Sequence, residues 1–442
     1  MLPMMSLSLT RFTVPLTGYF CAMTDVIDDA RTVFPGWART PAAERAAALR
    51  AAASALRDHA GELAKLNNKE TGKLVEEAWE GVLAGAGTLD QYAELGPLHR
   101  GRTLHGDWAA TDLMVPEPRG VVLALTPWND PVAVACGLLG AALATGNAVV
   151  HKPSERCPET GLRMSELVAA QLPGGVLTCV AGDGEVGARL TGHEGVDVIA
   201  HVGSSATGRV IAETAARTGA KTILENGGND PLIVDGDVDP EWAAEQAALG
   251  SFANAGQICV SVERIYAHRD IADRFVEALV AQAGKQTIPP LVDTRQREQV
   301  HAHVTEAREQ GATVRTGGEP GEGAYYPPTV LTGCTPQMRV LREETFGPVA
   351  PVRVVDDFDQ ALREACDDRY GLAATVLTNS MDHAQRAWRE LPVGTVKVNA
   401  VFGGAPGGAA QPRAASGEGF GYGPELLDEM TRTKVVHLQP AG

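Results

Sequence analysis

Residues 120–152 read GVVLALTPWNDPVAVACGLLGAALATGNAVVHK, and this stretch decides the fold. Its two apolar runs, Gly120–Leu125 and Ala148–Lys152, are short and rich in valine, so they predict buried strands. The Ala- and Leu-rich segment Val132–Ala144 between them predicts a helix. Apolar strands separated by a helix are typical of parallel strands joined by a crossover, so the stretch predicts a doubly wound α/β sheet.

The same alternation continues to about residue 235. Further strands are predicted at Val176–Val180, Val196–Val202, Thr222–Leu224 and Leu232–Val234, and further helices at Glu159–Gln171, Val186–Leu190 and Ala206–Arg217. A second α/β portion is predicted from about 228 to 412, with helices near 240–254, 271–283, 295–310 and 358–368 and strands near 262–267, 349–355 and 373–377. Sheets of this kind bind ligands at the carboxyl ends of their strands.

The ends of the chain show weaker patterns. A long helix is predicted over 40–66, with Thr40 as its N-cap and Pro41 in the first helical position. Residues 403–424 are rich in Gly and Pro and predict an ordered surface loop, and Lys434–Leu438 predicts a short strand. Residues 1–22 are mildly apolar but interrupted by charge and proline, which favours a loose tail or an edge strand over a signal peptide.

Composition excludes several classes of function. The 442 residues are 44% hydrophobic and 21% charged, which is typical of a globular chain of two or three domains. A net charge of -17 argues against a nucleic-acid partner or an anionic membrane surface. No apolar run approaches the roughly 20 residues that span a bilayer. Seven scattered cysteines without a CxxC pair predict neither disulfides nor a metal site, so we expect a reduced, cytoplasmic protein.

Two glycine-rich turns could receive a dinucleotide. The segment Gly182–Gly187 has the GxGxxG spacing after a predicted strand, but the acidic residue expected roughly 20 positions later is missing, so a plain turn is favoured. The segment Gly203–Gly208 also joins a strand to a helix. Its amides and the Ser204 hydroxyl could bind a pyrophosphate at the positive helix end, and an ordinary helix cap is equally compatible.

Three side chains could carry chemistry. Asn129 offers a neutral amide donor to a developing oxyanion, although a simple turn residue is the alternative. Cys259 ends the segment FANAGQIC (252–259), and a nucleophilic thiolate there needs a lowered pKa or a nearby base; most cysteines of this kind are inert and buried. Glu225 ends a predicted strand ahead of two glycines and could be a general base or a solvated carboxylate.

Taken together and in order, these segments resemble the aldehyde dehydrogenase superfamily. The matching motifs are ETGK (70–73), TPWN (126–129), KPSE (152–155), GSxxxG (203–208), LExGG (224–228), GQxC (256–259), EETFGPV (343–349), GTVKVN (394–399) and SGEG (416–419). The likeness extends from about residue 26 to 438. Nine motifs in the family's order make coincidence implausible.

The resemblance implies a Rossmann-like cofactor domain, an α/β catalytic domain and a small β bridging or oligomerisation element. The expected divisions are 1–99 with 119–227 for the cofactor domain, 228–412 for the catalytic domain, and 100–118 with 425–442 for the bridging element. A hairpin within 100–118 would expose a strand edge, which must be covered. We expect the strand near Lys434–Leu438 of a partner subunit to cover it in a homodimer or homotetramer.

The resemblance also implies the chemistry. Cys259 would add to an aldehyde, Asn129 and the Cys259 amide would stabilise the oxyanion, and hydride transfer to NAD would leave a thioester. Glu225 would activate the water that hydrolyses it. The matching cofactor residues are Lys152 and Glu155 for the adenine ribose, Gly203 and Ser204 for the pyrophosphate, Glu344 and Phe346 for the nicotinamide ribose and ring, Thr126, Pro127 and Trp128 for the passage between the sites, and Gly227. Glu155 favours NAD, with NADP possible.

The chain departs from the family pattern in two of its motifs. The usual ELGGK reads ENGGN, which places Asn226 and Asn229 beside the expected base, and Ala409–Pro412 replaces the usual PFGG near the substrate mouth. One rival is an acylating dehydrogenase, in which coenzyme A takes the acyl group, and the presence of Glu225 favours water instead. Another is a non-catalytic dinucleotide-binding protein of the same fold. The aldehyde itself cannot be read from the residues.

Overall fold

The computed structural model describes residues 25–404 and 408–441, and the described chain begins with four helices. Their bounds are α1 (Asp25–Arg39), α2 (Ala42–Asp58), α3 (Ala60–Thr71) and α4 (Val75–Leu95). The prediction of one helix over 40–66 is wrong, because the backbone leaves helical geometry at His59 (φ -109°, ψ 13°). Thr40 donates its hydroxyl to the Gly36 carbonyl, and Pro41 holds the cap position instead. The expectation for residues 1–22 falls outside the described residues.

The predicted alternation of strands and helices over 120–235 is present with small shifts in its bounds. The elements are β1 (Arg102–Leu104), β2 (Thr111–Pro118), β3 (Val121–Thr126), α5 (Pro131–Ala144), β4 (Ala148–Pro153), α6 (Pro158–Ala169), β5 (Leu177–Cys179), α7 (Gly184–Thr191), β6 (Val198–Val202), α8 (Ser205–Thr218) and β7 (Lys221–Glu225). Strands β5, β4, β3, β6 and β7 lie parallel in this order. Every residue of β3 and β4 is buried, as strands covered on both faces require.

A second sheet takes its strands from residues 230–398. The elements over this part are β8 (Asp230–Val234), α9 (Pro240–Phe252), β9 (Val262–His268), α10 (Arg269–Ala283), α11 (Thr294–Glu309), β10 (Thr313–Thr316), β11 (Thr329–Thr332), β12 (Val349–Val355), α12 (Phe358–Cys366), β13 (Tyr370–Gly371), β14 (Ala373–Leu377), α13 (Met381–Glu390) and β15 (Thr395–Val398). The strand order is β10-β11-β12-β9-β8-β14-β15, parallel except for β10. Strand β8, predicted as a continuation of the first run, pairs here with β9 and β14.

The chain ends on a third, three-stranded sheet. Its last elements are β16 (Arg413–Ala414), β17 (Gly417–Glu418), α14 (Glu425–Glu429) and β18 (Thr431–Leu438). Strand β18 pairs antiparallel with β2 over its whole length in the same chain. The expectation that a partner subunit's C-terminal strand covers this hairpin is therefore wrong. The short helix α14 buries Leu426 and Leu427. It directly precedes β18, which pairs with the hairpin of the same chain. Segment 403–424, predicted as a loop, includes β17, which pairs with β7.

Two large apolar cores hold these layers. One packs α2, α4 and α5 against the first sheet, and Leu49, Leu89 and Leu139 lie fully buried within it. The other packs α9 and α10 against the second sheet around Phe252 and Phe275. Within residues 25–404 and 408–441, no helix combines the length and the apolar character needed to cross a bilayer. The α/β fold class predicted from the sequence is confirmed.

A buried ion pair ties the second sheet to the segment that follows α12. Arg264 in β9 and Asp368 lie 3.1 Å apart with side chains 3% and 4% exposed. The Asn229 amide also donates to Asp368 at 2.7 Å, and the Asn229 carbonyl accepts from Arg264 at 2.7 Å. Both charges are thus paired and hydrogen-bonded, which is the condition for tolerating them inside a protein.

We predict that Arg264→Met lowers the free energy of unfolding by about 3–5 kcal/mol, because it leaves a buried carboxylate without its cation. The measurement is urea unfolding followed by circular dichroism. Arg274→Met is the matched control, since Arg274 pairs with Glu241 on the surface, where both side chains are more than half exposed. That variant should lose at most about 1 kcal/mol. Equal losses in the two variants would contradict the assignment.

Candidate active site

A strained turn presents Cys259. Asn254, Ala255 and Gly256 are three consecutive residues with positive φ (48°, 55° and 72°), a region that side chains with a Cβ rarely adopt. At Gly256 a Cβ would lie 2.2 Å from the Gly347 carbonyl oxygen, so the turn packs backbone against backbone. Cys259 follows this turn, and its side chain is exposed.

The Asn129 amide reaches the same turn. Its Nδ2 donates to the Gln257 carbonyl at 3.0 Å, and the Asn254 amide donates to that carbonyl at 3.2 Å. The Lys73 ammonium in turn donates to the Asn129 carbonyl at 3.3 Å and lies 3.4 Å from Asp130. The motifs ETGK, TPWN and GQxC therefore meet at one point. Asn129 uses one N–H here, and its second N–H has no partner within the described part of the chain.

Carboxylates surround the thiol. Burial raises the pKa of Glu225, at the end of β7, to about 7. Although one side of Cys259 is open, the protein packed around it excludes water, and Glu225, Asp230 and Glu344 oppose negative charge on the sulfur. Together these effects raise the pKa of Cys259 to about 12. Cys259 is thus a protonated thiol near neutral pH, close to a carboxyl group whose pKa lies near 7.

Glu344 and Phe346 lie on a second edge of the site. The Glu344 carboxylate accepts the Gly228 amide at 3.1 Å, and a Cβ at Gly227 would lie 2.1 Å from it, so a side chain there would displace the carboxylate. Burial raises the pKa of Glu344 to about 7. Phe346 has φ 52°, and its ring meets Trp128 edge to face at 5.6 Å.

The sequence reasoning missed Glu263. Its buried carboxylate accepts the backbone amides of Thr345 and Phe346, each at 3.0 Å, and so holds the strained Phe346 backbone. Burial, and then the nearby Glu344, raise the pKa of Glu263 to about 8. The available signal was a pair of adjacent charged residues, Glu263 and Arg264, inside a strand that is buried over nearly its whole length.

The residues predicted for the passage lie at and just after the end of β3, and those predicted for the adenine ribose lie at and just after the end of β4. The Thr126 hydroxyl lies 2.8 Å from His151 Nε2, and His151 Nδ1 lies 2.7 Å from the Ser165 hydroxyl. Burial lowers the pKa of His151 to about 3, so this linking imidazole is neutral. Lys152 is buried and donates to the Pro153 carbonyl at 3.1 Å, whereas Glu155 is exposed. Pro127 is half-buried between Thr126 and Trp128.

A cavity of about 620 Å³ includes Ser204 and Glu344 in its lining. Lys152 and Glu155 lie outside this lining, and so do Cys259, Asn129 and Glu225. Gly203 precedes Ser204, which is also an ordinary N-cap for α8, since its hydroxyl accepts the Thr207 amide at 3.2 Å. The lining further includes the basic side chains Arg209, Arg339 and Arg369. Cation charge and a helix N-terminus suit the phosphates of a dinucleotide.

Two further predictions concern the segment Gly182–Gly187 and the ENGGN motif. In segment Gly182–Gly187, Asp183 caps α7 by accepting the Glu185 and Val186 amides, and the preference for a plain turn there stays a prediction. The ENGGN departure is structural: the Asn226 amide donates to the Ala415 carbonyl at 3.3 Å, and Asn229 belongs to the ion pair of Arg264. Within residues 25–404 and 408–441, no three His, Cys, Asp or Glu side chains form a group suited to a metal ion.

Known proteins resemble the chain over nearly its whole length. The family model described as the aldehyde dehydrogenase family matches residues 21–436. A betaine aldehyde dehydrogenase from Staphylococcus aureus, solved in complex with NAD+, is 32% identical with a TM-score of 0.91, covering 94% of this chain and 87% of that one. A 3,6-anhydro-L-galactose dehydrogenase in complex with NADP is 32% identical with a TM-score of 0.92, covering 95% and 92%. The chain therefore belongs to the aldehyde dehydrogenase family and is an NAD(P)-dependent aldehyde dehydrogenase.

Proposed function

We propose that the enzyme oxidises its aldehyde to the carboxylic acid through a thioester on Cys259, which water activated by Glu225 hydrolyses. The observation that carries this proposal is the meeting of Asn129 and the turn before Cys259 at the Gln257 carbonyl. An oxyanion donor and a thiol are thereby held together, with the Glu225 carboxylate acting on the same thiol.

The first step forms a bond between sulfur and carbon. Cys259 releases its proton to solvent and attacks the aldehyde carbon, and the carbonyl electron pair moves to oxygen. The free N–H of Asn129 and the Cys259 amide stabilise this oxyanion, and donors of this kind typically contribute on the order of 3 kcal/mol. When bound, the nicotinamide accepts the hydride that leaves the same carbon, which turns the thiohemiacetal into a thioester.

The second step breaks the bond between sulfur and carbon. Glu225 takes a proton from water, the hydroxide attacks the thioester carbonyl, and the acid leaves while the thiolate regains a proton. A carboxyl group with a pKa of about 7 is matched to this proton transfer near neutral pH. Splitting the oxidation into two covalent steps replaces one high barrier with two lower ones.

The residues fit the cofactor. Gly227 leaves room beside the Glu344 carboxylate that any side chain would fill, and this carboxylate can accept the ribose hydroxyls of a nicotinamide nucleotide. Trp128 and Phe346 supply the apolar walls for a ring, and Ser204 lies at the α8 terminus for the phosphates. We propose NAD as the preferred cofactor, because the exposed Glu155 carboxylate at the end of β4 would repel a 2′-phosphate.

The acylating alternative, with coenzyme A as the acceptor, is disfavoured by Glu225. A carboxylate buried near the thiol with a pKa of about 7 serves water activation, whereas the coenzyme A thiol ionises more readily than water and depends less on such a base. A panel of aliphatic, aromatic, cationic and carboxylate-bearing aldehydes with NAD and NADP would identify the substrate class.

We predict that Cys259→Ser abolishes dehydrogenase activity and leaves NAD binding intact, because an unactivated hydroxyl is a poor nucleophile. Activity is measured as reduced-cofactor absorbance with the aldehyde panel, and binding by calorimetry. Cys366→Ser is the matched control: this half-buried cysteine at the end of α12 touches the Glu390 carbonyl and should tolerate the change. Near-wild-type turnover of Cys259→Ser would refute the mechanism.

We predict that Glu225→Gln gives a burst of about one reduced cofactor per site followed by slow turnover, because glutamine cannot take the proton from water. Removing this charge also removes one of the groups that oppose the Cys259 thiolate, so acylation should persist. Rapid mixing followed by mass spectrometry should find the acyl group on Cys259.

The pH dependence tests the same base. The pKa of Glu225 is raised to about 7, so the ionised form gains population as pH rises. Hydrolysis of the thioester should accelerate through pH 7, level off above it, and lose this rise in Glu225→Gln. Wild-type steady turnover in Glu225→Gln, or a requirement for coenzyme A in the unmodified enzyme, would show that hydrolysis is wrongly assigned.

We further propose that the protein is a homodimer or homotetramer in a reducing, cytoplasmic compartment. The division into domains predicted above is kept: 1–99 with 119–227, 228–412, and 100–118 with 425–442. Six described cysteines are free. The exposed apolar side chains Met381 and Trp388 on α13, and Val435 and Leu438 on β18, support burial against a second copy.

Light scattering should therefore give at least twice the monomer mass, and Trp388→Glu should shift the distribution towards monomer because a charge would be buried. Val210→Glu is the control, since Val210 is an equally exposed apolar residue on α8. A monomeric parent chain would exclude the assembly.

A further inference from the structure

We propose that the loop Ser416–Gly423, called the clamp loop below, positions the catalytic base, and that the Gly421 backbone N–H is the group that holds Glu225. This inference rests on the proposed role of Glu225 in hydrolysis. Neither the motif at 416–419 nor any other sequence pattern points to Gly421.

The contact itself leaves room for glycine alone. The Gly421 amide donates to Glu225 Oε1 at 3.2 Å. Within residues 25–404 and 408–441, it is the one hydrogen-bond partner of this carboxylate. A Cβ at residue 421 would lie 2.1 Å from Glu225 Cγ and 2.4 Å from Oε1. Any side chain there must displace the base.

The first half of the clamp loop is fixed to β7 and its continuation. The Ser416 hydroxyl, fully buried, donates to the Gly227 carbonyl at 2.8 Å and accepts the Gly371 amide at 3.0 Å. Gly417 pairs with Glu225 in the antiparallel contact between β17 and β7. The backbone of the base and the start of the loop therefore move as one unit.

The second half of the clamp loop is fixed to the C-terminal helix. Glu429 of α14 accepts the Phe420 amide at 3.2 Å and pairs with Lys221 of β7 at 2.7 Å. The buried Tyr92 hydroxyl donates to the Gly423 carbonyl at 3.1 Å. Gly421 thus lies between two anchored points, and its N–H has a defined direction.

The chemical consequence concerns both position and charge. A hydrogen bond to a carboxylate stabilises its ionised form, so the Gly421 N–H lowers the pKa of Glu225 against the larger effect of burial. The group that faces Glu225 is the Cys259 thiol, and the Asp230 and Glu344 carboxyls act on the same thiol. The clamp loop therefore favours the ionised form of the base and fixes its position.

The test uses para-nitrophenyl acetate, which needs neither cofactor nor a known aldehyde. The Cys259 thiolate attacks the acetyl carbon, para-nitrophenolate leaves with the electron pair, and an acetyl thioester remains for water to hydrolyse to acetate. The first-turnover release of para-nitrophenolate measures acylation. Loss of the acetyl group from Cys259, followed by mass spectrometry, measures deacylation.

We expect Gly421→Ala to slow deacylation by about tenfold or more, the cost of a lost hydrogen bond to a charged group, while acylation changes much less. The midpoint of the pH dependence of deacylation should move upwards, because the variant loses a donor that favours the carboxylate. Gly61→Ala is the matched control, since a Cβ at Gly61 in α3 meets nothing within 4 Å.

A second pair of variants acts at a distance from the base. Glu429→Ala removes the acceptor of the Phe420 amide and should slow deacylation in the same selective way. Glu429→Gln keeps an acceptor and should restore most of the wild-type deacylation rate. This pair decides the matter even if Gly421→Ala fails to fold.

Unchanged deacylation in Gly421→Ala or in Glu429→Ala, or an equal loss of acylation and deacylation, would overturn the positioning role. The parallel measurement on Glu225→Gln separates this outcome from failure of the proposed function. If Glu225→Gln loses deacylation and the clamp-loop variants do not, only the inference fails. If Glu225→Gln itself deacylates at the wild-type rate, the base is wrongly assigned.

Discussion

The close contact between the backbone of Gly256 and that of Gly347 is the constraint on which the site depends. No Cβ fits between these two segments, and the approach forces three successive residues into left-handed geometry. Such geometry costs on the order of 1–3 kcal/mol at each residue that is not glycine, so the surroundings must compensate. The compensation is visible in the Gln257 side chain, which donates to the Asn254 carbonyl at 3.0 Å and accepts the Val292 amide at 2.9 Å.

Three buried carboxyl groups of this site have raised pKa values, and they differ in their hydrogen bonds. Burial raises the pKa of Glu225 and Glu344 to about 7 and that of Glu263 to about 8. The Glu263 carboxylate accepts two backbone amides, and these hydrogen bonds fix the turn at Phe346. Glu344 accepts one amide and retains acceptor capacity, as does Glu225. Burial, and then the charges of Glu225, Asp230 and Glu344, raise the pKa of the Cys259 thiol.

The sequence was sufficient wherever the physical signal is local. Strand β12 and strand β14 have the predicted bounds, because short apolar runs buried on both faces have a distinctive composition. The helix α13 was not predicted because it buries little beyond Ala387, and β10 was not predicted because it is an exposed edge strand. The break at His59 was also not predicted, because residues 58–60 contain neither proline nor glycine.

The site shows the same division. The motifs identified Cys259, Asn129 and Glu225. Glu225 acts on the Cys259 thiol, and Asn129 contacts the turn that precedes it. Their catalytic roles are the proposal above. The partners of these residues could not be read, because they depend on distant parts of the chain. Glu225 is hydrogen-bonded across 196 positions to Gly421, and Asn129 across 128 positions to Gln257. Every residue except proline has a backbone N–H, so a sequence motif cannot show which N–H binds Glu225.

The short link between the two sheets explains why these distant partners matter. Glu225 ends β7 of the first sheet, and only residues 226–229 separate it from β8 of the second. Both asparagines of this link are fastened elsewhere, Asn226 to Ala415 and Asn229 to Asp368. The link therefore connects the two strands but does not orient the Glu225 side chain. The aim comes from the clamp loop, whose anchors on β7 and α14 set the base against a thiol that the other sheet supplies.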